Sequence, residues 1–257
     1  MKNLWENHPI ATKHHIGLID ASNDPYSLRR ATIPHTPELQ KRVRAWRDGA
    51  REPFPARDME YHKAAFGDFR EEDNCITYFP ASWAEYTIMR DKSAREALPP
   101  QEQFRFLAVC GVVETTDRHY ALSLRSKNVA THKDVWHVSA AGSVELSTVT
   151  DSRGVIFQFF QELHEELGVL PCDIVTVKQL GLCDHLYGES PSIEVCMCAK
   201  IELDSHELLE RSKTARDSWE GKIHTFPIDT VHAMLSLDSK DSFNPAGVAT
   251  LILALGL

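Results

Sequence analysis

The stretch Phe106 to Glu114, FLAVCGVVE, is apolar at nearly every position. A strand with one wet face alternates apolar and polar residues; this one has no polar face, so it predicts a strand covered on both sides. Such a strand belongs inside a layered fold. Thr115-Thr-Asp-Arg118 predicts a turn after it, and His119 to Arg125 alternates as a second strand.

The second constraint lies downstream. Val155, Ile156, Phe159, Phe160, Leu163 and Leu167 gather on one side at about 100° per residue, which predicts a helix packing its stripe on the core. Asp151 or Ser152 can cap its start, and Gly168 stands where a left-handed residue ends a helix. Between the second strand and this helix, Trp136 to Glu145 reads as a loop whose small residues and Gly142 allow close approach to a ligand. Strands are expected over Ile174 to Cys183, Ser192 to Leu203 and Ile223 to Pro227. Helices are expected over Ser205 to Lys213, from Ile228 or Asp229 to Leu235, and over Pro245 to Leu255. The sum is an α/β (α+β) fold, a mixed sheet flanked by helices.

Arg95-Glu-Ala-Leu-Pro-Pro-Gln-Glu-Gln103 is the clearest boundary, because two prolines stop a polar segment. It divides the chain into a smaller α+β N-terminal domain, residues 1–100, and a second domain, residues 101–257. In the first, His15 to Asp20 reads as a strand, and Thr36 to Trp46 and Ala81 to Lys92 read as helices. No chemistry stands out there. Its open roles are covering the site, mediating a homodimer or choosing the substrate.

With 28 Lys and Arg against 37 Asp and Glu, the chain carries a formal charge of −9. That disfavours non-specific attraction to nucleic acid or an anionic membrane, so neither is an expected partner. The N-terminus lacks an apolar secretion core and no run of about 18 apolar residues occurs, which predicts a cytoplasmic protein. Six cysteines form no C-x-x-C pair, and most sit among apolar neighbours; reduced core thiols are expected.

The end of the stripe helix reads Gln161-Glu-Leu-His-Glu-Glu-Leu-Gly-Val169. Glu162 and Glu166 are i,i+4 neighbours and Glu165 follows Glu162 by three, so the carboxylates cluster along the edge of the stripe. Like charges at this spacing weaken a helix by a few tenths of a kcal/mol per pair, and the negative end of the helix dipole adds to the cost. A hard divalent ion such as Mg²⁺ compensates, bridging carboxylates to a substrate phosphate. A solvated acidic face is the competing reading.

Glu162, Leu163, Glu165, Glu166, Gly168 and Val169 resemble the box of the Nudix hydrolases, G-x5-E-x7-R-E-U-x-E-E-x-G-U with U apolar. Gln161 stands at the box arginine, Arg153 at its earlier glutamate and Ser147 at its glycine, while the glycine loop is displaced to Gly142. Leu122 to Ala130, Leu180-Gly-Leu182, Ile193 to Cys198 and Asn244 to Ala249 are similar in order to the branch that cleaves UDP-glucose and UDP-galactose. The resemblance implies a Nudix-type α/β/α sandwich and a diphosphatase that attacks a nucleoside diphosphate derivative with water. A UDP-sugar would give UMP and a sugar 1-phosphate. It further implies Mg²⁺, with Mn²⁺ as a substitute, held by Glu162, Glu165 and Glu166, of which Glu165 or Glu166 orients or deprotonates the water. A catalytically degenerate Nudix fold that binds a nucleotide or a protein is the alternative, motivated by Gln161 and Arg153.

Further site candidates follow from position. Glu220 precedes a strand and is an alternative base. Arg125 and Lys127 follow the second strand and are candidates for phosphate contact. Tyr187, in the Asp184 to Gly188 loop, is a candidate ligand contact, whereas Trp136 is expected in the core and His164 at the surface.

Overall fold

Residues Arg105–Glu114 form the spine of the molecule, and every other layer is placed by what that strand can pair with and bury. The computed structural model describes residues 16–20, 26–31, 37–49, 61–70, 74–129, 131–149, 154–185, 191–236 and 242–257. In chain order the strands are β1 (Ile16–Asp20), β2 (Ser27–Arg30), β3 (Tyr61–Arg70), β4 (Cys75–Ser82), β5 (Arg105–Glu114), β6 (His119–Arg125), β7 (Trp136–Val138), β8 (Ala140–Ser143), β9 (Ile174–His185), β10 (Ser192–Ile201) and β11 (Gly221–Pro227). The helices are α1 (Pro37–Gly49), α2 (Trp83–Arg90), α3 (Lys92–Glu96), α4 (Gly154–Leu167), α5 (Ser205–Ser212), α6 (Ile228–Ser236) and α7 (Pro245–Leu255).

One mixed sheet holds all the described strands, ordered β1-β9-β10-β5-β3-β4-β2, with β6, β7, β8 and β11 branching from β5. β10 runs parallel to β5, placing Cys196 opposite Cys110, and β9 returns antiparallel to β10. The doubly apolar character of β5 is used on both faces. Leu107, Val109 and Val113, with Val195 and Met197 of β10, meet Val155, Phe159, Leu163 and Leu167 of α4. Cys110, Val112 and Cys196 point the other way, to Val248, Leu251 and Ile252 of α7. The result is the expected α/β sandwich with a mixed sheet.

Gly111 sets how closely α4 lies on the sheet. A β-carbon there would stand 2.0 Å from Cε2 of Phe159, so the phenyl ring rests directly on the β5 backbone. At the other end of α4, Gly168 has φ 69°, its N–H donates to the His164 carbonyl at 3.0 Å, and Val169 N–H reaches back to Leu163 at 3.1 Å. The helix therefore ends at the glycine the sequence marks for it, while its expected caps, Asp151 and Ser152, lie outside the described residues.

The sheet runs through the sequence boundary near residue 100. β3 pairs β5 through Ala65 opposite Phe106 and Phe66 opposite Arg105. Ala64, Phe66, Ile76 and Tyr78 share the core cluster of α4. A separate cluster joins α1, α2 and β5 through Leu39, Val43, Ile88, Met89 and Phe106.

Two features depart from the sequence expectation. Trp136 to Glu145 is not a loop throughout: β8 pairs β5, with Gly142 opposite Val109 and Ala141 opposite Cys110. β2, β3 and β4 were not anticipated. In β3, register shifts at Tyr61/Lys63 and Phe66/Asp68 break the two-residue alternation by which a strand is recognised. Of the cysteines, Cys75, Cys110, Cys183 and Cys196 are buried, Cys198 is half-buried and Cys172 is exposed; all six are free. Among the described residues no helix is long and apolar enough to cross a membrane.

Candidate functional site

α4 carries its apolar stripe into the core and so holds the next positions around the cylinder, 162, 165 and 166, along the edge beside β8. Glu162 lies against the β8 backbone. A β-carbon on Gly142 would stand 2.0 Å from its Oε1, so only glycine leaves room for the carboxylate. Gln158 Nε2 donates to the same oxygen at 2.7 Å, and its own Oε1 accepts from Glu145 N–H at 2.9 Å, tying the helix to the strand's exit. Glu166 Oε1 accepts from Ala141 N–H at 3.2 Å.

Burial raises the affinity of both carboxylates for protons. For Glu162, burial outweighs the Gln158 hydrogen bond, and the charge of Glu165 adds to the upward shift. For Glu166, burial comes first and the neighbouring Glu162 second, against the Ala141 N–H and Arg125. Two enclosed carboxylates that repel each other are a donor set that a cation would relieve. Among the described residues no group of three or more His, Cys, Asp or Glu side chains gathers to hold a metal, so Glu162, Glu165 and Glu166 do not converge as a triad. Mg²⁺ does not require one, since it keeps several waters and commonly takes one or two carboxylates plus phosphate oxygens. The Glu162 and Glu166 pair fits that mode.

Glu165 has other partners. Its Oε1 accepts from Gln161 Nε2 at 3.2 Å and pairs with Arg216 Nη1 at 2.5 Å, and its backbone carbonyl accepts from Asp217 N–H at 2.8 Å. A guanidinium thus reaches Glu165 from the loop after α5, beside the Gln161 amide. That loop continues to Glu220, whose backbone carbonyl accepts from Ser126 N–H at 2.7 Å. Burial raises the pKa of Glu220, Arg125 lowers it, and Asp217 and Glu165 raise it further. Arg125 Nε is buried and has no hydrogen-bond partner among the described residues.

A cleft of about 360 Å³ opens beside these groups. Arg125, Ala141, Gly142 and Glu220 line it; Glu162 and Glu166 do not, but lie against the Gly142 and Ala141 backbone that forms its wall. Lys127 does not take part: its side chain is 81% exposed and stands 3.9 Å from Asp134, turned to solvent beyond the end of β6. Tyr187 lies outside the described residues. Trp136 packs edge-on against His224 and Phe226, as a core residue does, and His164 is exposed.

No motif in the chain marks the rest of the cleft. Trp83, Tyr86 and Arg90 of α2 line it, with Ser192 and Glu194 of β10 and Trp219 beside Glu220. The available signal was the spacing of Trp83, Tyr86 and Arg90, which places all three on one helical face.

No protein-family model matches the sequence, and no curated protein matches it. Solved structures similar to the chain include Tm1382, provisionally assigned as a Nudix hydrolase, at 10% identity over 75% of this chain and 88% of that one, with a TM-score of 0.47. The NUDIX domain of Shewanella oneidensis NrtR complexed with ADP ribose is 14% identical over 64% of this chain and 96% of that one, with a TM-score of 0.42. A NUDIX hydrolase from Nitrosomonas europaea is 16% identical over 59% and 89%, with a TM-score of 0.37.

Proposed function

We propose that the protein is a metal-dependent diphosphatase of Nudix type, cleaving a nucleoside diphosphate linked to another moiety. A UDP-sugar, giving UMP and a sugar 1-phosphate, is the substrate favoured by the resemblance. The observation that carries this reading is the seating of Glu162 against Gly142 beside a second carboxylate, Glu166, which bonds to Ala141 N–H, where Gly142 and Ala141 line the same cleft as Arg125 and Glu220.

In this reading Glu162 and Glu166 hold Mg²⁺, or Mn²⁺ in its place, with Glu165 at the edge of the set. The ion, when bound, offsets diphosphate charge and lowers the pKa of water at the site. Arg125, which lines the cleft and whose Nε has no hydrogen-bond partner among the described residues, would orient a phosphate oxygen by a charge-assisted hydrogen bond. Glu220, whose proton affinity is raised by burial, is placed to take the proton of the attacking water. Water adds to one phosphorus and the P–O–P bridge breaks, leaving two monophosphates.

A second reading has its own observation. Glu165 is engaged by Arg216 and Gln161, so a binding module that retains the box without turnover would look similar at that position. One panel decides between them: UDP-sugars, ADP-ribose, NADH, dinucleoside polyphosphates and prenyl diphosphates, each with Mg²⁺, Mn²⁺ or EDTA, for the unaltered protein and Glu166→Gln. The expected result is cleavage that EDTA abolishes and the variant loses by about 10²-fold or more. Absence of metal-dependent cleavage, or an equally active variant, would falsify the hydrolase and leave the binding module.

A further inference from the structure

The cleft has two chemically distinct ends, and only one of them is used by the reaction above. The carboxylate end is lined by β8, against which α4 sets Glu162 and Glu166, and by the loop carrying Glu220. The other end comes from α2, in the first hundred residues. There the Trp83 and Tyr86 rings stack at 5.0 Å and 28°, and both line the cleft. Tyr86 is held on three further sides. Phe106 of β5 meets it edge-on at 4.6 Å, the Arg90 guanidinium lies 5.2 Å over its ring, and its hydroxyl accepts from Ser143 Oγ at 3.4 Å.

Ser143 follows Gly142 directly, so the ring that supports Trp83 is fastened one residue from the contact that seats Glu162. The two ends are therefore in fixed register. Neither Trp83 nor Tyr86 is fully buried, which separates them from the core aromatics Phe106 and Phe159. A half-buried indole braced from behind and facing a cleft offers a flat apolar platform. A carboxylate lines the same cleft: Glu194, which accepts from Ser192 Oγ at 2.9 Å. A carboxylate only accepts, so it complements the N–H edge of a heterocycle.

We propose that Trp83 is the platform on which the nucleobase of the substrate stacks, that Tyr86 positions it, and that Glu194 faces the base's N–H edge. The segment ahead of β5 thus selects a substrate with an aromatic ring at one end of its diphosphate. This rests on the proposed reaction for the placing of the diphosphate, but its test does not rest on turnover.

Binding is measured by calorimetry on the full chain with UDP, ADP, GDP and inorganic pyrophosphate, each with Mg²⁺ and with EDTA. Trp83→Leu should weaken the nucleoside diphosphates by roughly tenfold to a hundredfold, the range expected for one lost base–aromatic stack, and leave pyrophosphate unchanged. Trp83→Phe, which keeps a ring, should bind nearly as the unaltered protein does, and its melting curve controls for folding. Equal nucleotide affinity in Trp83→Leu overturns the platform, as does a parallel loss of pyrophosphate binding or failure of Trp83→Phe to retain affinity. If nucleotides bind in a Trp83-dependent way but no diphosphate is cleaved, the hydrolase reading fails and the platform stands. If cleavage occurs with a KM indifferent to position 83, the reverse holds.

Discussion

A methyl group on residue 142 would fall 2.0 Å from a Glu162 oxygen, and the neighbouring β5 pairing leaves the strand little freedom to retreat. Gly142→Ala should therefore displace the carboxylate rather than unfold the sheet. The expected outcome is a loss of about 10²-fold in kcat, the size that misplacing a reacting group by an ångström produces, with far-ultraviolet circular dichroism unchanged. The partners of Glu165 give a second prediction. Because Arg216 already supplies the guanidinium, Gln161→Arg alone should change kcat/KM little. Arg216→Ala should lower it only about two- to fivefold, since this ion pair is largely solvent-screened, and Gln161→Arg should restore activity in the Arg216→Ala background. Restoration that needs a different position, or a large gain from Gln161→Arg alone, would show that Glu165 is governed from elsewhere.

At the scale of elements, Asp117 joins the β5–β6 turn to the start of α5. Its carboxylate accepts from Ser205 N–H at 3.0 Å, from Ser205 Oγ at 2.6 Å and from Thr115 Oγ1 at 2.6 Å. Burial pushes its pKa up, but the Ser205 and Thr115 hydrogen bonds prevail and hold it down to about 2, against an ordinary 3.8. The sign follows: the ionised form is preferred by the fold, so the added stability is present above about pH 4 and is lost as pH falls toward 2. Asp117→Asn should lower the urea midpoint at pH 7 and flatten the acid limb of its pH profile, so that the variant and the unaltered protein converge as pH falls toward 2. Elements of this kind differ in how openly they announce themselves. β5 and α7 could be read from the chain because they are apolar almost throughout, α4 because its apolar positions keep one helical period, and breakers such as Gly168 and Pro245 stand at the limits. β3 could not, because its register shifts interrupt the alternation, and β8 could not, because Ala140-Ala-Gly-Ser143 has no side chains large enough to carry a pattern. The site divides in the same way. Glu162 and Glu166 were legible because their spacing is local, whereas Trp83 and Glu194 are brought to the cleft, and Arg216 to Glu165, by contacts between elements distant in the chain.

Across the whole molecule, the two segments separated by Pro99-Pro100 share a sheet and a core. β3 completes the edge of β5, and Phe66 and Tyr78 pack in the cluster that holds α4. Removing the residues before Pro99 would bare that edge and open the core beneath the carboxylate helix, so the shortened chain should be poorly soluble or melt without a cooperative transition. A shortened chain that unfolds cooperatively and still cleaves diphosphates would show that residues 101–257 form a self-sufficient domain. The contact between Gly111 and Phe159 bears on how such a molecule can change over time. The ring lies where a side chain at 111 would have to go, so neither position can vary freely alone. A descendant with alanine or serine at 111 would need a smaller residue at 159. The helix would then settle at a new height, carrying Glu162 and Glu166 with it. The distance between this helix and the sheet is thus set by a matched pair, and a change at one position would be felt first in where Glu162 and Glu166 lie against β8.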